Sequence, residues 1–261
     1  MLTWLLQDGD VSVEATDAVA DTARRLGHSV EKVRVVPFSH EPASPLPSID
    51  GPCITYGSTG LLQLARRAGL IPGGWDGPTF SMSSLLEAFS ELMLNEGAVF
   101  CPHSQAAARA TDLGWNRVFV KPDSESKAFA GGVTEVRLLH ERIDAMHGVG
   151  YFDDRDDPVL IAPVVGIEEE WRAFVVDGRV VASSSYLAAT KAGAPDHVVR
   201  FIEEAVARHA PAPVFVLDIA RRLDGQLRIV EANSANSSGF YACDVSSVVS
   251  AVSDHVLSVA T

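Results

Sequence analysis

Residues 214–241, VFVLDIARRLDGQLRIVEANSANSSGFY, constrain this chain more than any other stretch. They read as two strands joined at Asp224-Gly225, a dipeptide suited to a hairpin turn because both positions tolerate positive φ. A two-residue loop there would set Asp218 directly opposite Glu231. Asn233, two residues further on, would point to the same face. The other face would carry Phe215, Leu217, Ile219, Val230 and Ala232 as core. Like charges facing across a ladder destabilise it unless something positive lies between them. Two carboxylates and an amide oxygen above an apolar floor suit a hard cation such as magnesium, which commonly completes its shell with water and substrate phosphates. The bland alternative is an exposed edge hairpin with incidental acids.

At 261 residues the chain can bury a large core and hold two or three lobes. A formal charge of −13 argues against a general nucleic-acid or membrane binder, though not against a local basic pocket. The N-terminus lacks a basic leader with an apolar core, and no stretch approaches a transmembrane span, so a cytoplasmic protein is expected. Cys53, Cys101 and Cys243 have no metal-ligand spacing and read as buried small hydrophobes in a reducing compartment. The eight histidines form no HxxxH or HxH pair.

The first third alternates strands and helices. Strands are expected at 2–6, 30–36 and 53–56, and helices at 13–26 and 60–68, with Gly27 closing the first helix. This is the pattern of a small parallel α/β lobe. The YGSTG turn at 56–60 is either a plain turn or an anion contact at a helix N-terminus. Residues 71–80 read as loop. Ser84 and Glu87 fit a capping box opening a helix to about Asn95. A strand at 98–100 and a helix at 105–113, capped by Ser104, follow.

Further along, 118–133 reads VFVKPDSESKAFAGGV. A strand ends in Lys121-Pro122, a polar loop carries Lys127, and Gly131-Gly132 introduce the next strand. A strand-end lysine beside a glycine-containing loop can hold phosphate by charge; a solvated lysine is the alternative. A helix is expected at 137–146 and an acidic loop at 151–157. The apolar run 158–165 is either ordinary core or the wall of an adenine pocket. Glu170 and Arg172 should share a face with Phe174 on a strand that turns at Asp177-Gly178, with Glu170 facing Ser185 and Arg172 facing Ser183. An inward arginine needs an anion: Glu170, or a phosphoryl group gripped in bidentate fashion. Residues 187–195, with Lys191, form a loop; Asp196 caps a helix to His209, and Asp244 caps the last helix.

Taken in order, VFVKP, SKAFAGG, EWRAFVVDGRVVASSSY, VLDIA and VEANSANSSGFY resemble the ATP-grasp superfamily, and within it the R-two-K clade. That clade includes a eukaryotic factor that assists assembly of translation initiation factor two. The resemblance implies an α/β and α+β protein: an N-terminal pre-ATP-grasp lobe at 1–97 and an ATP-grasp domain at 98–261. Within that domain, 98–165 would form the first lobe and linker and 166–261 the second lobe, with ATP clasped between the two. It implies phosphate or nucleotide contacts from Lys121, Lys127, Glu170 and Arg172, with Lys127 and Arg172 in catalytic positions. Ala162, Pro163 and Val164 would line the adenine, and Asp218, Glu231 and Asn233 would bind Mg2+. Ala162 stands where many family linkers carry an acid, and Glu168, Glu169 and Glu170 are the only acids nearby.

The activity implied is ligation of an unidentified carboxylate to an amine or thiol through an acyl phosphate, with a peptide or protein as candidate substrate. An assembly factor that binds ATP without ligation and an ATP-dependent phosphotransferase are the alternatives.

Overall fold

The computed structural model describes residues 2–9, 13–36, 41–124, 129–142, 157–186 and 193–260. The chain forms two units. One comprises Met1–Asp76, Glu169–Ile219 and Ala232–Thr261; the other comprises Gly77–Glu168 and Ala220–Glu231.

In the first unit, β1 (Thr3–Gln7), β2 (Ser29–Val33), β3 (Cys53–Tyr56) and β4 (Pro72–Gly73) form a parallel sheet in the order β2-β1-β3-β4. Both faces of β1 are covered, which is why Trp4, Leu5 and Leu6 follow one another as apolar residues rather than alternating with polar ones. Trp4 and Leu6 join a core with Val19, Ala20 and Ala23 of α1 (Val13–Arg25). Leu5 points the other way, to Leu61, Leu64 and Ala65 of α2 (Thr59–Arg67). The expected α/β lobe is therefore present. Ser58 caps α2, its Oγ accepting from the Leu61 N–H at 3.3 Å. The stretch read as loop at 71–80 contains β4 and a short 3-10 turn at Pro78–Phe80.

The loop after residue 234 is fastened to this sheet by Asn236, which is 3% exposed. Its Nδ2 donates to the carbonyls of Thr55 (2.6 Å) and Gly73 (2.9 Å), and its Oδ1 accepts from the Trp75 N–H at 2.9 Å. Asn236→Ala strands three main-chain groups. Each buried orphan costs about 1–3 kcal/mol, so a loss of roughly 3 kcal/mol or more in unfolding free energy is expected by chemical denaturation. A change below about 1 kcal/mol would show that water replaces the amide at this point.

The second unit holds an antiparallel sheet of β5 (Val99–Pro102), β6 (Arg117–Pro122), β7 (Gly132–Glu135) and β8 (Pro158–Pro163), in the order β5-β8-β6-β7. Val118, Val120, Val159 and Ile161 face Ala106, Ala107 and Ala110 of α4 (Ala106–Asp112). Helix α3 (Met82–Phe89) also lies in this unit. Its N-cap is Ser81, whose Oγ accepts from the Ser84 N–H at 3.2 Å, so the helix opens three residues before the expected Ser84 box. The run Ser81-Met82-Ser83-Ser84 offers several capping hydroxyls, and Ser81 alone precedes the first helical residue. A 3-10 turn at His103–Gln105 leads into α4, whose N-cap position is Gln105 rather than the expected Ser104.

A third sheet has the order β10-β9-β11-β12, formed by β9 (Ile167–Val176), β10 (Arg179–Ser185), β11 (Val214–Arg222) and β12 (Leu227–Ser234). The chain leaves the first unit within β11, after Ile219, and re-enters it within β12, after Glu231. Helices α5 (Asp196–Arg208) and α6 (Val245–Val259) belong to the first unit. The α5 stripe Val198, Ile202, Ala205 and Val206 is buried as expected, but Asp196 is its first helical residue and Pro195 its N-cap. Asp244 caps α6 as expected, accepting from the Ser246 and Ser247 N–H groups.

Both hairpins of this sheet differ from expectation in register. Gly225 N–H donates to Arg222 O and Arg222 N–H donates to Gln226 O, both at 2.9 Å. The loop is thus the three residues Leu223, Asp224 and Gly225, with Gly225 at φ +83 supplying the left-handed position of a bulged turn. The two-residue loop that set Asp218 opposite Glu231 is not formed. The Asp177-Gly178 turn does close in two residues, at φ 49 and 79. A bulge between Val180 and Ala182 then shifts the ladder, so Arg172 pairs with Ser184 rather than Ser183.

Candidate functional site

Alternation along β6 turns Phe119 and Lys121 away from the α4 core. Their register partners on β8 are Ala162 and Leu160, so these four residues share one face of the second unit's sheet. Lys121 lies at the end of the strand on an otherwise apolar surface, with its side chain 15% exposed. Its Nζ donates to Oε2 of Glu231 at 2.5 Å. An ion pair this enclosed is screened by water far less than a surface pair.

The strand end is fixed from both sides. The Asp123 N–H donates to Pro158 O, and Asp123 O accepts from Met82 N–H. Its carboxylate takes the Ser83 N–H (2.7 Å) and Ser83 Oγ (2.8 Å). Gly131 crosses directly over the face: a Cβ there would stand 3.0 Å from both Lys121 Cβ and Phe119 Cζ. The close approach explains the glycine. Ala162 is fully buried, whereas Pro163 and Val164 are exposed where β8 ends. Lys127 and Lys191 lie outside the described residues, as do the far end of the helix expected at 137–146 and the acidic stretch 151–156.

The first unit carries a second charged cluster. Arg172 is 5% exposed and Asp218 fully buried. Arg172 Nε donates to Asp218 Oδ1 at 2.9 Å and Nη2 to Asp218 Oδ2 at 2.7 Å. Nη2 also donates to Tyr186 Oη (2.8 Å) and Nη1 to Gly239 O (3.0 Å). Tyr186 Oη donates to Asp218 Oδ2 at 2.9 Å, and Asn233 Nδ2 lies 3.3 Å from the same oxygen. The guanidinium sits against the rings of Tyr186 and Tyr241, 5.3 and 4.7 Å from their centroids. Tyr241 is held at φ 50, uncommon for a bulky residue. Phe174, two residues along β9 from Arg172, stacks on Phe240 at 4.9 Å.

Burial alone would depress the Arg172 pKa. The hydrogen bonds and charge of Asp218 reverse that and raise it. Burial, reinforced by Asp218, likewise raises the Tyr186 phenol well above its ordinary value. These groups keep fixed protonation states across the physiological range. Burial also pushes the Cys53 thiol up to about 11, in keeping with an inert core cysteine.

The sequence-derived residues therefore fall into two sets: Lys121, Glu231 and Ala162–Val164 in one unit, and Glu170, Arg172, Asp218 and Asn233 in the other. The positive charge that the acids of the hairpin require is present in the protein's own side chains: Lys121 serves Glu231 and Arg172 serves Asp218. Among the described residues no group of three or more His, Cys, Asp or Glu side chains could hold a metal. As a magnesium ligand Glu231 fits, since an ammonium at its Oε2 can be exchanged for another cation. Asp218 does not fit, because both of its oxygens already accept from Arg172 and one accepts from Tyr186 as well. Tyr186, Tyr241 and Asn236 went unread as functional or fastening residues. Their only sequence signal is that of an aromatic or amide near a strand end.

An antiparallel sheet bearing a strand-end lysine over an apolar face, preceded by a parallel α/β lobe and followed by a strand pair bearing acids, is the ATP-grasp fold. Solved structures bear this out: D-cycloserine synthetase DcsG matches over 98% of this chain and 100% of its own, with TM-score 0.68 and 13% identity. A RimK domain ATP-grasp protein from Sphaerobacter thermophilus DSM 20745 matches over 98% and 100%, with TM-score 0.65 and 15% identity. ATP-grasp ligase PsnB, complexed with precursor peptide PsnA2 and AMPPNP, matches over 97% of each chain, with TM-score 0.58 and 14% identity. At such identities the likeness establishes the fold alone.

Residues 74–252 match the model of the ATP-grasp domain, R-two-K clade family 3, and the chain belongs to that family. A comparison with curated protein sequences found no match. Among the described residues no helix is long and apolar enough to cross a membrane.

Proposed function

We propose that this chain is an ATP-dependent ligase that activates a carboxylate and joins it to an amine. The observation that carries the reading is the face of β6 and β8: one enclosed lysine at the edge of an apolar surface, with a carboxylate as its counter-ion. An apolar surface suits a nucleobase, and an ammonium held in a low-dielectric setting suits a phosphate chain. Family membership supports the same reading. The fold neighbours include a synthetase and a ligase, the latter complexed with a precursor peptide and AMPPNP. By analogy the acyl or amine substrate here is a small molecule or a peptide.

Ligation of this kind needs no protein nucleophile. It needs two repelling anions held together while charge on the transferring phosphoryl group is offset. Lys121 offsets that charge, and Asp123 fixes the strand end from which Lys121 projects. Pro163 and Val164, exposed at the end of β8, supply a main-chain edge for the base, and Lys127, outside the described residues, adds a second cation. When bound, magnesium adds positive charge on the phosphates, and Glu231 is the residue suited to hold it.

Product analysis tests the proposal. With ATP, a panel of carboxylates and a panel of amines, ADP and phosphate should accumulate together with an amide, and the amide only when both substrates are present. Nucleotide binding without amide formation for any pair would favour an assembly factor. A phosphorylated product that persists in the presence of amine would favour a phosphotransferase.

A further inference from the structure

The acid that a family comparison would hand to the metal has a different employer in this fold. Asp218, in the first unit, is fully buried. Its carboxylate meets Arg172 in the planar two-on-two arrangement that a guanidinium and a carboxylate make best, with bonds of 2.9 and 2.7 Å. A phenol donates to the same group from Tyr186, and the Asn233 amide turns its Nδ2 rather than its oxygen toward it.

Each of these contacts offers hydrogen to Asp218. A divalent ion would need those lone pairs. It would also have to approach where a guanidinium is pinned by a second acceptor, Gly239 O, and by the faces of two tyrosines. Evicting Arg172 would leave a buried positive charge with no counter-ion, which is among the more costly events in a protein interior.

We propose that Asp218 is a positioning residue: it holds Arg172, and through Arg172 the 239–241 wall, in place, and it takes no metal. The wall has a visible use. Tyr56, Gly239, Phe240 and Tyr241, with Glu14 and Val245, line a pocket of about 400 Å³, within the usual range for small-molecule sites. Arg172 reaches this wall twice, at the Gly239 carbonyl and at the Tyr241 ring, and Tyr241 keeps its left-handed backbone beside that guanidinium. Asp218 is thereby tied to the shape of a pocket. Only the metal half of the proposal rests on the ligase reading.

The test has two arms. In the first, without nucleotide, the Arg172 Nε–H signal is followed by NMR with isotope-labelled arginine and assigned by its loss in Arg172→Lys. Protection from exchange in the native protein and its loss in Asp218→Asn are expected. An Nε–H that exchanges freely in the native protein would overturn the proposal.

In the second arm, Mn2+ binding in the presence of ADP is measured by electron paramagnetic resonance. The proteins compared are the native chain, Asp218→Asn, the paired Arg172→Met with Asp218→Leu, and Glu231→Gln. The paired variant removes both charges at once, so it stays informative if Asp218→Asn fails to fold. Affinity should change by less than about threefold in the Asp218 variants and fall by about tenfold or more in Glu231→Gln. A tenfold loss in either folded Asp218 variant would make it a metal ligand after all. A native chain that binds no ADP would count against the ligase reading, and the first arm would then decide the role of Asp218 alone.

Discussion

Asp218→Ala should lower the free energy of unfolding by about 3–5 kcal/mol, the usual result when one member of a buried ion pair is deleted. The magnitude follows from what remains. Arg172 would keep its charge, because a guanidinium does not lose its proton at accessible pH, even though the Asp218 contacts that raise its pKa against burial would be gone. It would keep Tyr186 and Gly239 as acceptors but lose the two bonds to Asp218. A melting temperature lower by on the order of 10 °C is expected for a chain of this size.

Deleting both charges should behave differently. Arg172→Met with Asp218→Leu leaves no uncompensated charge, although Tyr186, Asn233 and Gly239 each lose a hydrogen bond, and apolar replacements of buried pairs are often neutral or better. The double variant should recover most of the stability lost in the single one. Equal losses in the two would mean that the cluster contributes shape rather than charge.

Lys121→Met should reduce ATP turnover by about 10²–10³-fold, the typical effect of deleting one preorganised group that stabilises developing charge. Its cost to stability should be modest. Glu231 would remain, with a side chain 19% exposed, and loses one charge-assisted hydrogen bond worth roughly 1.5–3 kcal/mol before water compensates. Adding Glu231→Gln removes the charge that Lys121 had offset and should return the stability, while turnover stays low. Because Glu231→Gln also removes the residue suited to hold magnesium, the deciding observation is low turnover in Lys121→Met beside a stability that is nearly intact. Steady-state ADP release, read beside urea denaturation of the same variants, makes the comparison.

What could be read from the sequence was whatever short-range physics decides. Trp4, Leu5 and Leu6 announce a strand covered on both faces, and Val198, Ile202, Ala205 and Val206 announce a helix with one buried stripe. The structure has both. The run VFVKP placed Lys121 at a strand end because Val118 and Val120 alternate with it.

The hairpin register was not legible, because Asp224-Gly225 serves equally as a whole two-residue loop or as the end of a three-residue one. The choice fell to Leu223, which is 75% exposed in the loop. The bulge after Val180 has no local marker either. The partner of Arg172 was misjudged for a related reason. Glu170 is near in sequence, but Asp218, 46 residues away, is brought to it by the pairing of sheet strands. The need for a cation beside each acid of the hairpin was sound; that the fold meets it with Lys121 and Arg172 depends on tertiary packing that periodicity does not encode.

The most direct measurement is calorimetric titration of the full chain with a non-hydrolysable ATP analogue in the presence of magnesium, repeated on Lys121→Met. One nucleotide per chain should bind to the native protein, and affinity should drop by at least tenfold in the variant. A folded native chain that takes up no nucleotide, or a Lys121→Met chain that binds it as tightly as the native one, would contradict the account.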